Sequence, residues 1–496
     1  MTDSYSRLPI HRYIERRDEE AHDATRPRES LGVVVIIPFW SQSDNMNADS
    51  NYVILRTILP TMAELAPNTL FLVLFPDPKY GSGKWHYKPD NFQRENVKFI
   101  KWPYDTAMQS SVVGFDPMRF KEIDNKYGPT LYWCFQVETA PNLVCGYYTN
   151  WANISRPAIV AQHMYVIHKS LPYPIATQFT RQWAQIGGTI AANRVVYPSH
   201  YCKWLADDAF GEYLSKETLD VLDKKSTVLH FGLLDGTEPL APPADETGLP
   251  IILYNHRFEN YKMPTRTFEV LDQLREDGES FEVVVTQTPG QGTRKYHYDR
   301  SAYASNRDEY LRNVAQPSIN VINSVHETFC ISAMESVAMG HLLVAPNGIT
   351  FPELVPDGYP FLFDNTAEQL AHLKYILSTW PAQYNKWRTI LSKHARQKFA
   401  VDSYATKYLE VLKEAELVHA RSRADTKDTT FKAFDKLFRS MKINKSYKLT
   451  ELGNNLRKDM NAAQQSMPNR RVVREAMERG NIKVSWKNGV VLTRLA

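Results

Sequence analysis

From residue 31 onward, short runs of purely apolar residues alternate with longer amphipathic stretches. "GVVVIIPF" (32–39) predicts a buried strand, "NYVILRTILPTMAELA" (51–66) a helix with Pro60 as a possible kink, and "TLFLVLFP" (69–76) another strand. "VKFIKWP", "PAIVAQHM" and "RVVYPS" continue the series. Strands apolar throughout and separated by helices imply a parallel sheet covered on both faces. The rhythm stops at "DGTEPLAPPADETGLP" (235–250), whose prolines, glycines and acids suit a linker. It then restarts with "IILYNHR", "TRTFEVLDQLRED", "FEVVVTQ", "RDEYLRNVA", "INVINS", "CISAMESVAM" and "HLLVAP". The fold class is therefore α/β, with two Rossmann-like lobes facing a cleft, and ligands are expected at the C-terminal ends of the strands.

A chain of 496 residues is too long for one ordinary core, which agrees with several domains. The expected division is an N-terminal arm over 1–30, a first lobe over 31–240, a second lobe with C-terminal helices over 241–420, and a separate unit over 421–496. The net charge of +4 conceals an asymmetry, since residues 421–496 carry 18 Lys and Arg against 7 Asp and Glu. Such a basic segment points to a polyanion. Within it, three helical stretches precede "IKVSWKNGVVLTRL", where Asn488-Gly489 flanked by alternating apolar residues is a hairpin signal. Three helices and a two-stranded wing describe a winged helix-turn-helix. Arg470, Arg471 and Arg474 would lie on its recognition helix, with Lys483 and Lys487 on the wing. A solvated basic unit contacting protein is the plainer reading. Four scattered cysteines without paired spacing, no apolar run of membrane length and no secretory leader lead to the expectation of a cytoplasmic, non-membrane protein with reduced thiols.

Candidate chemistry concentrates in the second lobe. In "VINSVHETFCISAMESVAMGHLLVAPNGITFPELVP" (321–356), Glu327 and Glu335 are separated by seven residues. A helix starting near Thr328 would offer free N–H groups to oxygens of a phosphate or sugar, and Glu335, two turns along, could accept ribose hydroxyls. An ordinary surface helix with acids at chance spacing is the competing reading. In "LYNHRFENYKMP" (253–264), Arg257 and Lys262 follow the lobe's first strand, where paired cations can clamp a diphosphate. Solvated loop charges are the alternative.

With both signals in one lobe and in that order, the second lobe resembles retaining glycosyltransferases of the GT-B fold. "HETFCISAMESVAMGHLLVAPNGITFPELVPDGYPFLF" is similar to their donor-lobe pattern, including Gly340 and Pro352-Glu353. "YNHRFENYKMPTRTFEVLDQL" resembles a branch containing queuosine-tRNA mannosyltransferases and phage glycosyltransferases of modified DNA bases. The resemblance covers about 195–410, is weak over 31–194, and is absent from the tail. It implies that Arg257 and Lys262 neutralise the diphosphate of a nucleoside-diphosphate sugar. Glu335 would hold the ribose, and Glu327 with the N–H groups of Thr328, Phe329, Cys330 and Ile331 the sugar and phosphates. His163 would be a first-lobe contact to the sugar; a histidine capping a strand is the plainer account. The glycine-rich loop of many relatives is replaced here by "WSQSDNMNADSN", where Ser41, Ser43 and Asn45 are candidate substitutes.

The implied enzyme is a retaining, metal-independent glycosyltransferase with no permanently bound cofactor. Its co-substrate would be a nucleotide sugar, with UDP the commonest nucleotide in the fold. The basic tail makes double-stranded DNA carrying a hydroxylated base, such as hydroxymethylcytosine, the expected acceptor, in a phage-type modification. In "LYWCFQVETAPNLVCGYYTNWANISRP", Tyr132, Trp133, Tyr147, Tyr148 and Trp151 are candidates for stacking on an extruded base, or else core residues. Transfer to tRNA, a glycan or a small molecule is the alternative, and an inactive, DNA-binding regulator is the alternative of another class.

Overall fold

The computed structural model describes residues 31–38, 50–76, 94–102, 117–150, 157–169, 175–233, 239–245, 248–287, 296–304, 307–421, 441, 446–448, 482–485 and 491–494. The first lobe runs β1 (Val33–Ile37), α1 (Ser50–Leu65), β2 (Leu70–Pro76), β3 (Val97–Trp102), α2 (Pro117–Tyr127), β4 (Leu131–Cys134), α3 (Ala140–Asn150), β5 (Ala158–Gln162), α4 (Ile175–Ala191), β6 (Arg194–Tyr197), α5 (His200–Gly211), α6 (Lys216–Lys224) and β7 (Ser226–Val228). All its strands pair in parallel, in the order β3-β2-β1-β4-β5-β6-β7. The solid apolar text of "VVVII" is explained by complete burial. Pro60 sits inside α1 without ending it.

The second lobe runs β8 (Ile251–Tyr254), α7 (Pro264–Glu276), β9 (Glu282–Val285), β10 (Arg300–Ser301), α8 (Arg307–Val314), β11 (Ser318–Val321), α9 (Ile331–Met339), β12 (Leu342–Pro346), β13 (Leu362–Phe363), α10 (Thr366–Ser378), α11 (Ala382–Lys398) and α12 (Val401–Arg421). Its sheet is again parallel, in the order β10-β9-β8-β11-β12-β13. In each lobe the strand order reverses beside the first strand, at β1/β4 and at β8/β11. A crevice opens at that reversal because successive crossovers leave toward opposite sides.

Three local features fix the lobes. Gly340 ends α9 at φ +83°, and a Cβ there would lie 2.6 Å from the Arg388 carbonyl oxygen, so both the left-handed backbone and the close approach require glycine. The linker is pinned to α11: Ala244 exchanges hydrogen bonds with the Asn385 side chain at 2.9 and 3.0 Å, and Tyr384 donates to the Pro242 carbonyl at 3.2 Å. Helix α12 packs across the first lobe's sheet, although it lies in the segment expected to belong to the second. There Trp133 donates to the Tyr408 hydroxyl at 2.8 Å, and Tyr408 donates to Gln162 at 2.7 Å.

Of the aromatic stretch that offers either a base-stacking surface or core, the described side chains are core. Tyr132 and Trp133 lie on β4, fully buried, and Tyr147 on α3 is 2% exposed. Tyr132 packs edge-on against Phe120 at 5.6 Å, and its hydroxyl shares a 3.1 Å hydrogen bond with that of Tyr147. Aromatics on a central strand are more valuable as packing than as exposed platforms. The side chain of Tyr148 and the whole of Trp151 lie outside the described residues, as do Ser41, Ser43, Asn45 and the arm over 1–30.

In the tail, β14 (Ser446–Lys448), β15 (Ile482–Ser485) and β16 (Val491–Arg494) form an antiparallel sheet in the order β14-β16-β15. Ile482 pairs with Arg494 and Ser485 with Val491, an antiparallel hairpin as expected but one residue out of the register that a two-residue Asn488-Gly489 turn sets, which would put Ser485 opposite Leu492. Lys483 is on β15; Arg470, Arg471, Arg474 and Lys487 lie outside the described residues, as do the expected helices. Among the described residues no helix is long and apolar enough to cross a membrane.

Candidate active site between the lobes

The β8/β11 reversal opens into a cavity of about 510 Å³ lined by both lobes. Helix α9 aims its first turn into it. Asn255, just past β8, donates to the Ser332 carbonyl at 3.1 Å and the Ser336 hydroxyl at 3.0 Å, and Asn320 on β11 donates to the same hydroxyl at 3.0 Å. Two strand-end amides thus hold the helix against its sheet.

Helix α9 starts at Ile331, later than the expected Thr328, and Cys330 precedes it with φ +67°. Residues 328–330 form the turn that leads in. A left-handed non-glycine residue is costly and concentrates at functional sites. Glu335 therefore lies about one turn along the helix instead of two.

The candidates from the second lobe meet in this cavity. Arg257, Lys262, Glu327, Thr328, Phe329, Cys330, Ile331 and Glu335 all line it. Lys262 is buried and its ammonium donates to the Glu327 carboxylate. Burial alone would lower the Lys262 pKa, but the adjacent Glu327 carboxylate outweighs it and the pKa is raised. Arg257 donates to the Tyr261 hydroxyl at 2.9 Å, and the Tyr261 carbonyl accepts from Val325 at 3.0 Å, tying the cationic loop to the one carrying Glu327. Phe329 turns its ring into an aromatic cluster with Phe231 at 5.1 Å and Phe399 at 5.7 Å, which leaves its backbone for any ligand.

His163 is elsewhere. It is fully buried, shares a 2.9 Å hydrogen bond with Thr189 and stacks on Tyr197 at 4.6 Å, and burial pulls its pKa down to about 3. The expectation of a cleft contact is corrected to a neutral core histidine; its neighbours Met164 and Tyr165 line the cavity instead.

Several cavity residues were not foreseen. Arg307 opens α8 and pairs with Glu335 at 2.7 Å, with side chains 9% and 8% exposed. Burial raises the Glu335 pKa, and Arg307 opposes that rise. Tyr310 lines the cavity and lies under the Arg307 guanidinium, 5.4 Å from ring centroid to Cζ. His256, 3% exposed, has its pKa pushed well down by burial and then by Lys262 and Arg257. "RDEYLRNVA" reads as an ordinary amphipathic helix, and His256 sits unmarked in "NHRFENYK"; neither carries a spacing signal.

The lobes are stitched beside the cavity. Thr328 donates through its hydroxyl to the Met164 carbonyl at 2.8 Å, and its carbonyl accepts from Ser199. Glu353, from the second lobe, accepts from the His200 and Tyr201 amides at the start of α5, both at 2.9 Å, and shares a 2.8 Å hydrogen bond with His230. Burial would raise the Glu353 pKa; the His230 hydrogen bond and charge, with the other donors, lower it overall.

The chain is 23% identical over 288 residues to the tRNA-queuosine alpha-mannosyltransferase of Drosophila melanogaster, covering 52% of this chain and 75% of that protein. Among solved structures, it is similar to sucrose-phosphate synthase from Thermosynechococcus elongatus (TM-score 0.57, 13% identity, 78% of this chain and 100% of that one). It is also similar to a glycosyltransferase from Rickettsia africae ESF-5 (0.54, 15%, 78% and 99%) and to the catalytic domain of Starch Synthase IV from Arabidopsis thaliana, bound to ADP and acarbose (0.53, 12%, 78% and 99%). No protein-family model matches the chain. The likeness establishes the fold: two parallel-sheet α/β domains resembling GT-B glycosyltransferases.

Proposed function

We propose that the protein is a retaining glycosyltransferase that moves a sugar from a nucleoside-diphosphate sugar, UDP-linked in the first instance, to a hydroxylated base in DNA. The observation that carries the donor half is the convergence of Arg257, Lys262, Glu327, Glu335 and the first turn of α9 on one interlobe cavity. Arg257 and Lys262 supply positive charge for a diphosphate leaving group, and the α9 turn supplies N–H donors. Glu335, paired with Arg307, accepts ribose hydroxyls. Glu327 holds the sugar, and donor binding would draw Lys262 from Glu327 toward the phosphates.

In the transfer, the acceptor oxygen forms a bond to the anomeric carbon on the face from which the diphosphate leaves. The bond from that carbon to the phosphate oxygen breaks, and the acceptor proton passes to the departing phosphate. Such a step relies on leaving-group stabilisation and positioning more than on a strong base. It calls for no resident metal, since two cations already face the leaving group.

The acceptor reading rests on the basic segment 421–496 and its strand register, which fits a wing. A second reading, transfer to tRNA, is favoured by the likeness to the Drosophila melanogaster enzyme. Incubating hydroxymethylpyrimidine DNA, and separately tRNA, with the protein and a panel of nucleotide sugars, followed by mass spectrometry, tests both. A sugar-sized mass increase on DNA supports the first reading and one on tRNA the second. No transfer or donor hydrolysis with any combination would revive the inactive-regulator alternative.

A further inference from the structure

A soft, a borderline and a hard donor meet in the cavity from two segments: His256 beyond β8, and Glu327 and Cys330 on the loop between β11 and α9. One ligand atom from each lies within 4.8 Å of the others, and all three residues are buried. We propose that His256, Glu327 and Cys330 form a binding site for a thiophilic divalent ion of the zinc type, and that this ion and the sugar donor exclude one another.

The donor set selects the ion. Imidazole nitrogen with thiolate sulfur suits zinc or cobalt and disfavours magnesium and calcium, which take oxygen ligands. Zinc bonds of about 2.0–2.3 Å in a tetrahedron put ligand atoms roughly 3.3–3.8 Å apart, so the trio needs a contraction of at most about 1.5 Å. Three protein ligands leave a fourth position for water. Two further observations point to a ligand. Although His256 is 3% exposed, its Nε2 has no hydrogen-bond partner among the described residues. The Ser332 hydroxyl lies 3.3 Å from His256 Nδ1 and 3.6 Å from Cys330 Sγ, where it fixes both groups as outer partners of metal ligands do.

Lys262 acts as the guard of this site, because its ammonium holds the Glu327 carboxylate that the ion requires. Ion binding must displace Lys262 and release the Cys330 proton. Exclusion of the donor rests on the reading of the cavity as a donor site; ion binding does not.

The test is a cobalt(II) titration of the full chain, monitored by the thiolate-to-cobalt charge-transfer band. Wild type should bind one ion with that band and release it on addition of zinc. Cys330→Ser should lose the band, His256→Gln should weaken binding at least about tenfold, and Lys262→Met should tighten it. Circular dichroism of each variant separates loss of a ligand from loss of folding, and His256→Gln retains the thiol readout if Cys330→Ser does not fold. Absence of the band in wild type overturns the proposal, as does its survival in folded Cys330→Ser, which would assign it to another thiol such as the exposed Cys145. Displacement of cobalt by uridine diphosphate tests exclusion separately. A band that no nucleoside diphosphate displaces would leave the ion site standing and remove the exclusion.

Discussion

Replacing Arg307 with methionine isolates a buried charge. Glu335 would remain on α9 with its carboxylate 8% exposed and its cation gone, while a side chain of similar length fills the space. Breaking a buried pair from one side costs about 3–5 kcal/mol, because the remaining charge is neither hydrated nor paired. The carboxyl can escape that cost by taking up a proton, and its pKa is already raised by burial with Arg307 in place. Without Arg307 the folded-state value climbs further above the unfolded one. The resulting stability term is present below the unfolded value and lost as pH rises through the folded value. Arg307→Met should therefore be nearly tolerated near pH 5 and destabilised relative to wild type by about 1.4 kcal/mol per pH unit between the wild-type folded value of Glu335 and the further-raised value in the variant. Urea denaturation of wild type and variant from pH 5 to 8, followed by circular dichroism, measures the difference. Adding Glu335→Gln to the variant should flatten the profile. A destabilisation equal at all pH values, or a slope that survives Glu335→Gln, would refute the reasoning.

Lys262→Ala should lower turnover by about 10²–10³ through lost leaving-group stabilisation, and unchanged turnover in a nucleoside-diphosphate release assay would remove Lys262 from the chemistry. Glu353→Gln should cost about 2 kcal/mol at pH 7 by weakening charge-assisted bonds between the lobes. Because the Glu353 pKa is lowered, that contribution is present above about pH 4.3 and fades as pH falls through the folded value, so wild type and variant should converge in acid. Deleting residues 422–496 should abolish electrophoretic binding of duplex DNA while leaving donor hydrolysis in place, and a truncated chain that still shifts DNA would end the assigned role of the tail.

The second lobe was legible because its signals are local. The run "VVV" of β9 and the apolar β12 announce buried strands, and Glu327 and Glu335 are displayed on one loop-helix unit. Strand β4 was overlooked because it is four residues long and its Tyr132 and Trp133 look like recognition residues; only the sheet around them makes them core. His163 failed for another reason. Strand β5 ends at Gln162, and beyond a strand end the alternation of facing no longer holds, so the cleft contacts fall on Met164 and Tyr165. The Arg307–Glu335 pair joins residues 28 apart through the fold, and neither segment marks the other. The periodicity of α12 specifies a helix with a buried face without specifying which lobe covers it.

The return of α12 to the first lobe means that the chain passes between the lobes twice. The passages run side by side: Leu233 donates to the Phe399 carbonyl at 2.8 Å, and a Cβ on Gly232 would lie 3.1 Å from the Val401 Cα. A single tether allows a lobe to swivel in any direction, whereas two adjacent strands of chain act like the leaves of a door hinge and confine motion to one axis.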